Sequence, residues 1–246
     1  MINVWGLTDV GLVRKENQDA YAVRRDPSTD HVICVVCDGM GGPAGGSLAS
    51  RIAVDTFVEE LEKVLQYDMN TDQLREASSY AVSLANRAIR EAAEHCEEYQ
   101  DMGTTLVSAV SCADGVVITN VGDSRAYHIT PDGITRVTRD HSLVERMVER
   151  GDITAEEARR HPNRNLITRA LGPDPVAECD GYVCSLDKGE YLLLCSDGLV
   201  DTVTDQEMLF EVIHGGPVAT SLNRLLDISK SRGASDNVTA VLMQKL

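Results

Sequence analysis

The stretch VICVVCDGMGG, residues 32–42, holds the reading of this chain. Six apolar residues in a row describe a strand buried on both faces. They end on Asp38, and glycines follow. Taken alone, Asp-Gly after an apolar run is an ordinary turn signal. The chain then repeats the pattern. EYLLLCSDGL (190–199) closes an apolar run with Asp197-Gly198, and VVITNVGDSRAY (116–127) closes another with Gly122-Asp123. GASDNVTAVL (233–242) sets Asp236 just before a final apolar run, and RKENQDAY (14–21) sets Asp19 just before an early one.

Each aspartate has its own turn or N-cap reading. Five at strand termini, each beside small residues, point further. Carboxylates gathered at one end of a sheet repel one another and raise their pKa values unless cations hold them. An oxygen-only donor set, with no His or thiolate, suits magnesium or manganese and not zinc. Glycine after the aspartate lets a backbone carbonyl approach with no side chain in the way.

The rest of the chain frames that cluster. Strands are expected over 2–8, 20–25, 31–37, 104–112, 116–121, 125–130, 134–138, 181–186, 190–195 and 238–244, with Asp114-Gly115 and Pro131-Asp132-Gly133 as hairpin turns. Apolar stripes predict helices over 46–66, 72–98 and 217–231, and capping boxes at Thr154-x-x-Glu157 and Thr204-x-x-Glu207 start two more. Strands come in consecutive hairpins and helices in pairs, without strict βαβ alternation. That order predicts antiparallel sheets with helices packed outside.

The 246 residues, 43% hydrophobic, show no linker, low-complexity tract or repeat, so a single domain is expected. The first residues lack the basic and apolar regions of a signal peptide, and the longest apolar run is far below the ~18 residues of a membrane span. A cytoplasmic protein is expected. Its seven cysteines read as reduced thiols, and Cys34 and Cys37, three apart on a strand, point to opposite faces as core hydrophobes. A formal net charge of −16 argues against nucleic acid and anionic membranes as partners.

In order along the chain stand Arg14-x-x-Asn17-Gln18-Asp19, Asp38-Gly39-Met40-Gly41-Gly42, Met102-Gly103-Thr104-Thr105, Gly122-Asp123-Ser124-Arg125, Asp140-His141-Ser142, Ser196-Asp197-Gly198 and Asp236-Asn237. With these motifs the chain resembles the metal-dependent protein serine/threonine phosphatases of type 2C, the PPM family, in its compact bacterial form. The resemblance implies an α+β fold, a four-layer α-β-β-α sandwich of two antiparallel sheets flanked by antiparallel helix pairs, with a flap over about 140–175. It implies two to three manganese or magnesium ions. Asp38 would bridge two of them, the Gly39 carbonyl would complete one, and Asp197 and Asp236 would hold the other. Asp19 would lie in the outer shell, and Asp123 with Asp197 would make a weaker third site. Arg14 would bind the substrate phosphate, which its fork suits. A hydroxide bridging the metals would then attack the phosphorus of phosphoserine or phosphothreonine in line.

Two departures bear on the chemistry. Some relatives carry a general-acid histidine where Met40 stands, which leaves the proton donor open, with His161 as a candidate. Gln18 replaces a glutamate that contacts metal through water. The expected partners are phosphorylated proteins, with a bacterial serine/threonine kinase as the opposing enzyme, and a monomer is expected. A phosphatase of a sigma-factor regulator would carry the same motifs, and a silent phosphoprotein-binding pseudophosphatase is the rival from another class. Cysteine-based phosphatases are excluded because no cysteine has an arginine six residues on, and P-loop enzymes because no Gly-Lys-Ser/Thr occurs.

Overall fold

The computed structural model describes residues 1–246, the side chains of Pro43 and Ala44 excepted. Two antiparallel sheets form its centre. One runs in the spatial order β1 (Ile2–Asp9), β11 (Val238–Lys245), β10 (Tyr191–Cys195), β7 (Arg125–Thr130) and β8 (Gly133–Arg136). The other runs β2 (Asp19–Arg25), β3 (Val32–Met40), β5 (Leu106–Cys112), β6 (Gly115–Val121) and β9 (Asp180–Cys184), with the short β4 (Gly103–Thr104) paired to the far end of β3.

Strand periodicity explains the layers. On β3, Val32, Cys34 and Val36 face the other sheet, while Ile33, Val35 and Cys37 face the helices α1 (Gly42–Val64) and α2 (Thr71–Ala93). On β11, Val241 and Met243 enter the layer between the sheets. Val238, Ala240 and Leu242 turn outward to the layer containing Met208 and Val212 of α6 (Asp205–Ile213) and Leu222 and Leu225 of α7 (Ser221–Ser231). Both faces of each central strand are apolar because both are covered, which is why the runs in the sequence are continuous and not alternating. The expected α-β-β-α sandwich is what forms. Cys34 and Cys37 lie in different layers, and burial pushes both thiols up, as inert core residues require.

Several boundaries differ from expectation. The strand predicted over 31–37 continues through Asp38 and Gly39 to Met40, so the Asp-Gly here is extended strand and no turn. Gly41, at φ 112°, then redirects the chain into α1, which starts four residues before the apolar stripe suggests. The strand predicted over 104–112 is interrupted at Thr105, whose N–H goes to the Asp38 carbonyl. α2 stops at Ala93 and a 3-10 turn at Glu97–Tyr99 follows; the helix expected from 217 is 3-10 at Val218–Thr220 and α-helical from Ser221. Both capping boxes form, at α4 (Ala155–Arg159) and at α6.

Between β8 and β9 an excursion carries α3 (Leu143–Arg150) and α4. Its two ends are tied together by a bridge between Ser142 and Ile167 and by the Leu143 N–H bond to the Leu166 carbonyl, 2.9 Å. Among the described residues no helix is long and apolar enough to cross a membrane.

Candidate metal centre

Asp38 sits at the end of β3, opposite Asp19 in the β2–β3 register. Its main chain is held on several sides. The Asp38 N–H donates to Thr105 Oγ1 at 2.9 Å, and its carbonyl accepts from the Thr105 N–H at 2.9 Å and from Thr104 Oγ1 at 2.8 Å. Gly39 packs so closely that an added Cβ would lie 2.1 Å from the Gly46 carbonyl oxygen of α1. Glycine is required there for close approach, not for a turn.

The second sheet's Asp38 is met by aspartates of the first. Asp197 is the first residue of the one-turn helix α5 (Asp197–Val200), just beyond β10. An added Cβ on Gly198 would lie 2.0 Å from the Asn237 carbonyl oxygen, so this Asp-Gly is likewise pressed against backbone. That contact sets Asp197 beside the residues preceding β11. Ser196 Oγ donates to Asp19 Oδ2 at 2.8 Å and accepts the Thr239 N–H at 3.0 Å, which ties the two sheets behind the site.

Asp38, Asp123, Asp197 and Asp236 all line one cavity of about 550 Å³, together with Arg14, Gln18, Gly39 and Met40. Asp19 lies behind them, 9% exposed. Burial pushes the Asp38 carboxyl well above the usual carboxylate range, and the charges of Asp19, Asp197 and Asp123 push it the same way. Burial followed by the neighbouring charges of Asp236 and Asp201 raises Asp197 to about 7, and burial raises Asp19 to about 6 against hydrogen bonds from Thr239 and Ser196. Asp123 is raised by burial and then by Asp197 and Asp140. The buried Oδ1 atoms of Asp19 and Asp197 have no hydrogen-bond partner.

This is the signature of a site short of positive charge. Unpartnered buried carboxylate oxygens are costly, and cations remove the cost. The donors are all oxygen, so they fit magnesium or manganese. Among the described residues no three His, Cys, Asp or Glu side chains are gathered so as to hold one ion unaided. A cation here would complete its coordination with backbone carbonyl and water, as magnesium commonly does.

Arg14 reaches the cavity, but its Nη2 donates to Asp236 Oδ2 at 2.6 Å, an ion pair that raises the guanidinium pKa. Gln18 also lines the cavity, and its Nε2 donates to the Gly42 carbonyl of α1 at 2.7 Å. Met40 is in the cavity wall. His161 is not among the lining residues; its Nδ1 accepts the Asn163 N–H of its own loop at 3.1 Å.

Lys15, Glu16, Thr105, Asn165, Ile167 and Asn237, to which the motifs assign no individual role, also line the cavity. Thr105 and Asn237 stand inside the motifs above, and each acts through the backbone of a neighbour. Asn237 Nδ2 donates to the carbonyls of Val10 and Glu16 and its Oδ1 accepts the Gln18 N–H at 2.8 Å, which secures the loop carrying Arg14. Asn165 and Ile167 come from the excursion between β8 and β9, and no local pattern announces their approach.

The family model described as protein phosphatase 2C matches residues 13–243. The serine/threonine phosphatase stp of Listeria innocua is 32% identical over 238 residues, 97% of this chain and 94% of that protein. The crystal structure of the serine/threonine phosphatase Stp1 from Staphylococcus aureus superimposes with a TM-score of 0.94 at 35% identity, covering all of this chain and 96% of that one. The serine/threonine protein phosphatase PstP of Mycobacterium tuberculosis is 35% identical over 236 residues, which are 96% of this chain but 43% of that longer relative.

Proposed function

We infer the reaction from one premise: the chain belongs to the protein phosphatase 2C family and is a protein serine/threonine phosphatase. The cavity at the meeting of the two sheets is the place of hydrolysis of phosphoserine and phosphothreonine monoesters, and it works with bound manganese or magnesium. The observation that carries this reading is the convergence of Asp38 from one sheet with Asp197 and Asp236 from the other, with unpartnered buried oxygens on Asp197 and on Asp19 behind them. Asp38, the Gly39 carbonyl, Asp197 and Asp236 would hold two cations, Asp123 with Asp197 a third, and Asp19 would orient the group from behind. When bound, such ions lower the pKa of water and neutralise the oxygens of a phosphoryl group.

The chain's own residues do the rest. Thr104 and Thr105 fix the Asp38 main chain, so the carboxylate need not reorganise as charge moves. Arg14 recognises the phosphate: one of its donors is taken by Asp236, and the rest of the half-exposed fork is left for oxygen acceptors at the mouth. Residues 1–246 then act as one domain, with about 140–175 as its flap, a reading supported by Asn165 and Ile167 in the cavity wall. A serine/threonine kinase is the opposing enzyme. Chelation by EDTA should abolish hydrolysis of both an aryl phosphate and a phosphothreonine peptide, and manganese or magnesium should restore it. Activity that survives chelation would refute this reading, and metal-loaded protein that binds the peptide without cleaving it would make the chain a pseudophosphatase.

A further inference from the structure

The motif Asp140-His141-Ser142 has no part in the site as described, yet it joins three of its supports. His141 is 7% exposed. The Gly122 N–H donates to His141 Nδ1 at 3.1 Å, and the His141 N–H returns a bond to the Gly122 carbonyl at 2.9 Å. Gly122 immediately precedes Asp123. On the other side, His141 Nε2 stands 3.2 Å from Asp180 Oδ2 of β9. The His141 carbonyl accepts the Thr168 N–H at 2.7 Å, at the base of the segment that brings Asn165 and Ile167 to the cavity.

The network assigns the tautomer. A backbone N–H can only donate, so Nδ1 is the acceptor and Nε2 carries the hydrogen, which it gives to Asp180. Arg169 Nη1, 3.2 Å from Nε2, faces another donor there, and its hydrogen bond goes to Asp180 Oδ1 at 2.9 Å. Asp180 also accepts from the Tyr182 hydroxyl. Arg125, two residues after Asp123, chelates Asp140 through Nε and Nη2. The two sides of the Asp123 turn are thus gripped by adjacent residues, Asp140 and His141.

We propose that His141 is a positioning residue for the phosphatase reaction, holding the Gly122-Asp123 turn and the base of the 140–175 segment in one fixed relation. This rests on the role given to Asp123 above. Gly122 has φ 102°, and an added Cβ would lie 2.6 Å from Thr105 Cγ2, so the turn has little freedom to find another arrangement by itself. Without an acceptor at the Nδ1 position a buried N–H loses its partner, and the turn must move to recover one.

Two variants separate the ring nitrogens. Asparagine places an amide oxygen near the Nδ1 position and keeps the acceptor for Gly122. Glutamine reaches Asp180 with its amide but offers nothing at Nδ1. On a phosphothreonine peptide with saturating manganese, His141→Asn should keep kcat within about 3-fold of wild type, whereas His141→Gln should lose about 10-fold or more in kcat with KM within about 2-fold. Amide hydrogen exchange at Gly122, measured without metal, should accelerate in the glutamine variant and not in the asparagine variant. Asp123→Asn is measured beside them and should lose about 10-fold or more in kcat. Equal losses in both His141 variants that follow their melting temperatures would make the residue merely structural and overturn the proposal. So would a glutamine variant with wild-type kcat while Asp123→Asn is impaired. A silent Asp123→Asn would remove the role given to Asp123 and with it the route by which His141 acts. The Gly122 exchange rates tell that failure from a failure of His141's own contact.

Discussion

The two Asp-Gly pairs of the cavity carry the same letters and are built differently. Asp38-Gly39 belongs to extended β3 and is hydrogen-bonded as strand, while Asp197-Gly198 opens the one-turn helix α5. Neither is the turn that the dipeptide suggests. What they share is contact: each glycine lies so close to a carbonyl oxygen that an added Cβ would stand 2.1 Å from that of Gly46 in one case and 2.0 Å from that of Asn237 in the other. The dipeptide therefore encodes close approach of two backbones with a carboxylate at the seam. Local conformation is free to differ, since the two sheets reach the seam from different directions.

The largest test of that comparison is chemical. If Asp38 bridges both core cations while Asp197 holds one of them and shares the looser third, Asp38→Asn should lower kcat by about 10³-fold or more, ~4 kcal/mol, and Asp197→Asn by less. Equal losses would make the two carboxylates equivalent and erase the distinction.

Next comes the charge they share. Asp19 and Asp197 protonate near 6 and 7 in the folded protein, above the ordinary carboxylate value of about 4. A folded pKa raised in this way contributes stability that is fully present below about pH 4 and is lost as pH rises through 6–7. Metal-free protein should therefore melt at progressively lower temperature between pH 5 and 8. Manganese at about 1,000 times its Kd should restore about 4 kcal/mol at the upper end, roughly 8–16 °C for a chain of this size. A melting temperature indifferent to manganese at pH 8 would deny that cations relieve the seam.

The glycines should then prove alike where their backbones are not. Gly39→Ala and Gly198→Ala should each cost about 1–3 kcal/mol in urea unfolding, since in both the obstacle is a carbonyl and not a yielding side chain. A large cost at one and none at the other would show that only one of the two seams is tight.

Arg14→Ala removes an ion pair that is half exposed and contributes little to stability. It should raise KM for a phosphopeptide about 10-fold with kcat within about 3-fold, and a collapsed kcat at unchanged KM would contradict a ground-state contact. The smallest effect is reserved for His161, whose ring serves its own loop. His161→Ala should stay within about 2-fold on an aryl phosphate, and a larger loss would bring that loop into the chemistry.

The parts of this molecule that were legible in sequence are those written in short-range patterns. The continuous apolar run of β11, the stripes of α1 and α2 and both capping boxes follow from residues within a turn or two of one another. The aspartates were legible as a set because each closes or opens an apolar run. The interruption at Thr105 was not, because a threonine pair reads as strand and its actual use, holding Asp38 from 67 residues away, is tertiary. The pairing of Arg14 with Asp236 joins residues 222 apart, and the approach of Asn165 and Ile167 depends on how the excursion after β8 folds back. No local signal precedes such contacts.

The place of β11 has a consequence for synthesis. The last strand of the chain does not lie at the margin of its sheet but between β1, the first strand, and β10. A nascent chain that has emerged as far as residue 230 leaves the inner edges of β1 and β10 without their partner and has no Asp236. The seam closes only when β11 slides into the middle of the sheet. Phosphatase activity therefore has to wait for β11, and a nascent chain arrested before residue 236 lacks one of the carboxylates proposed to hold the cations.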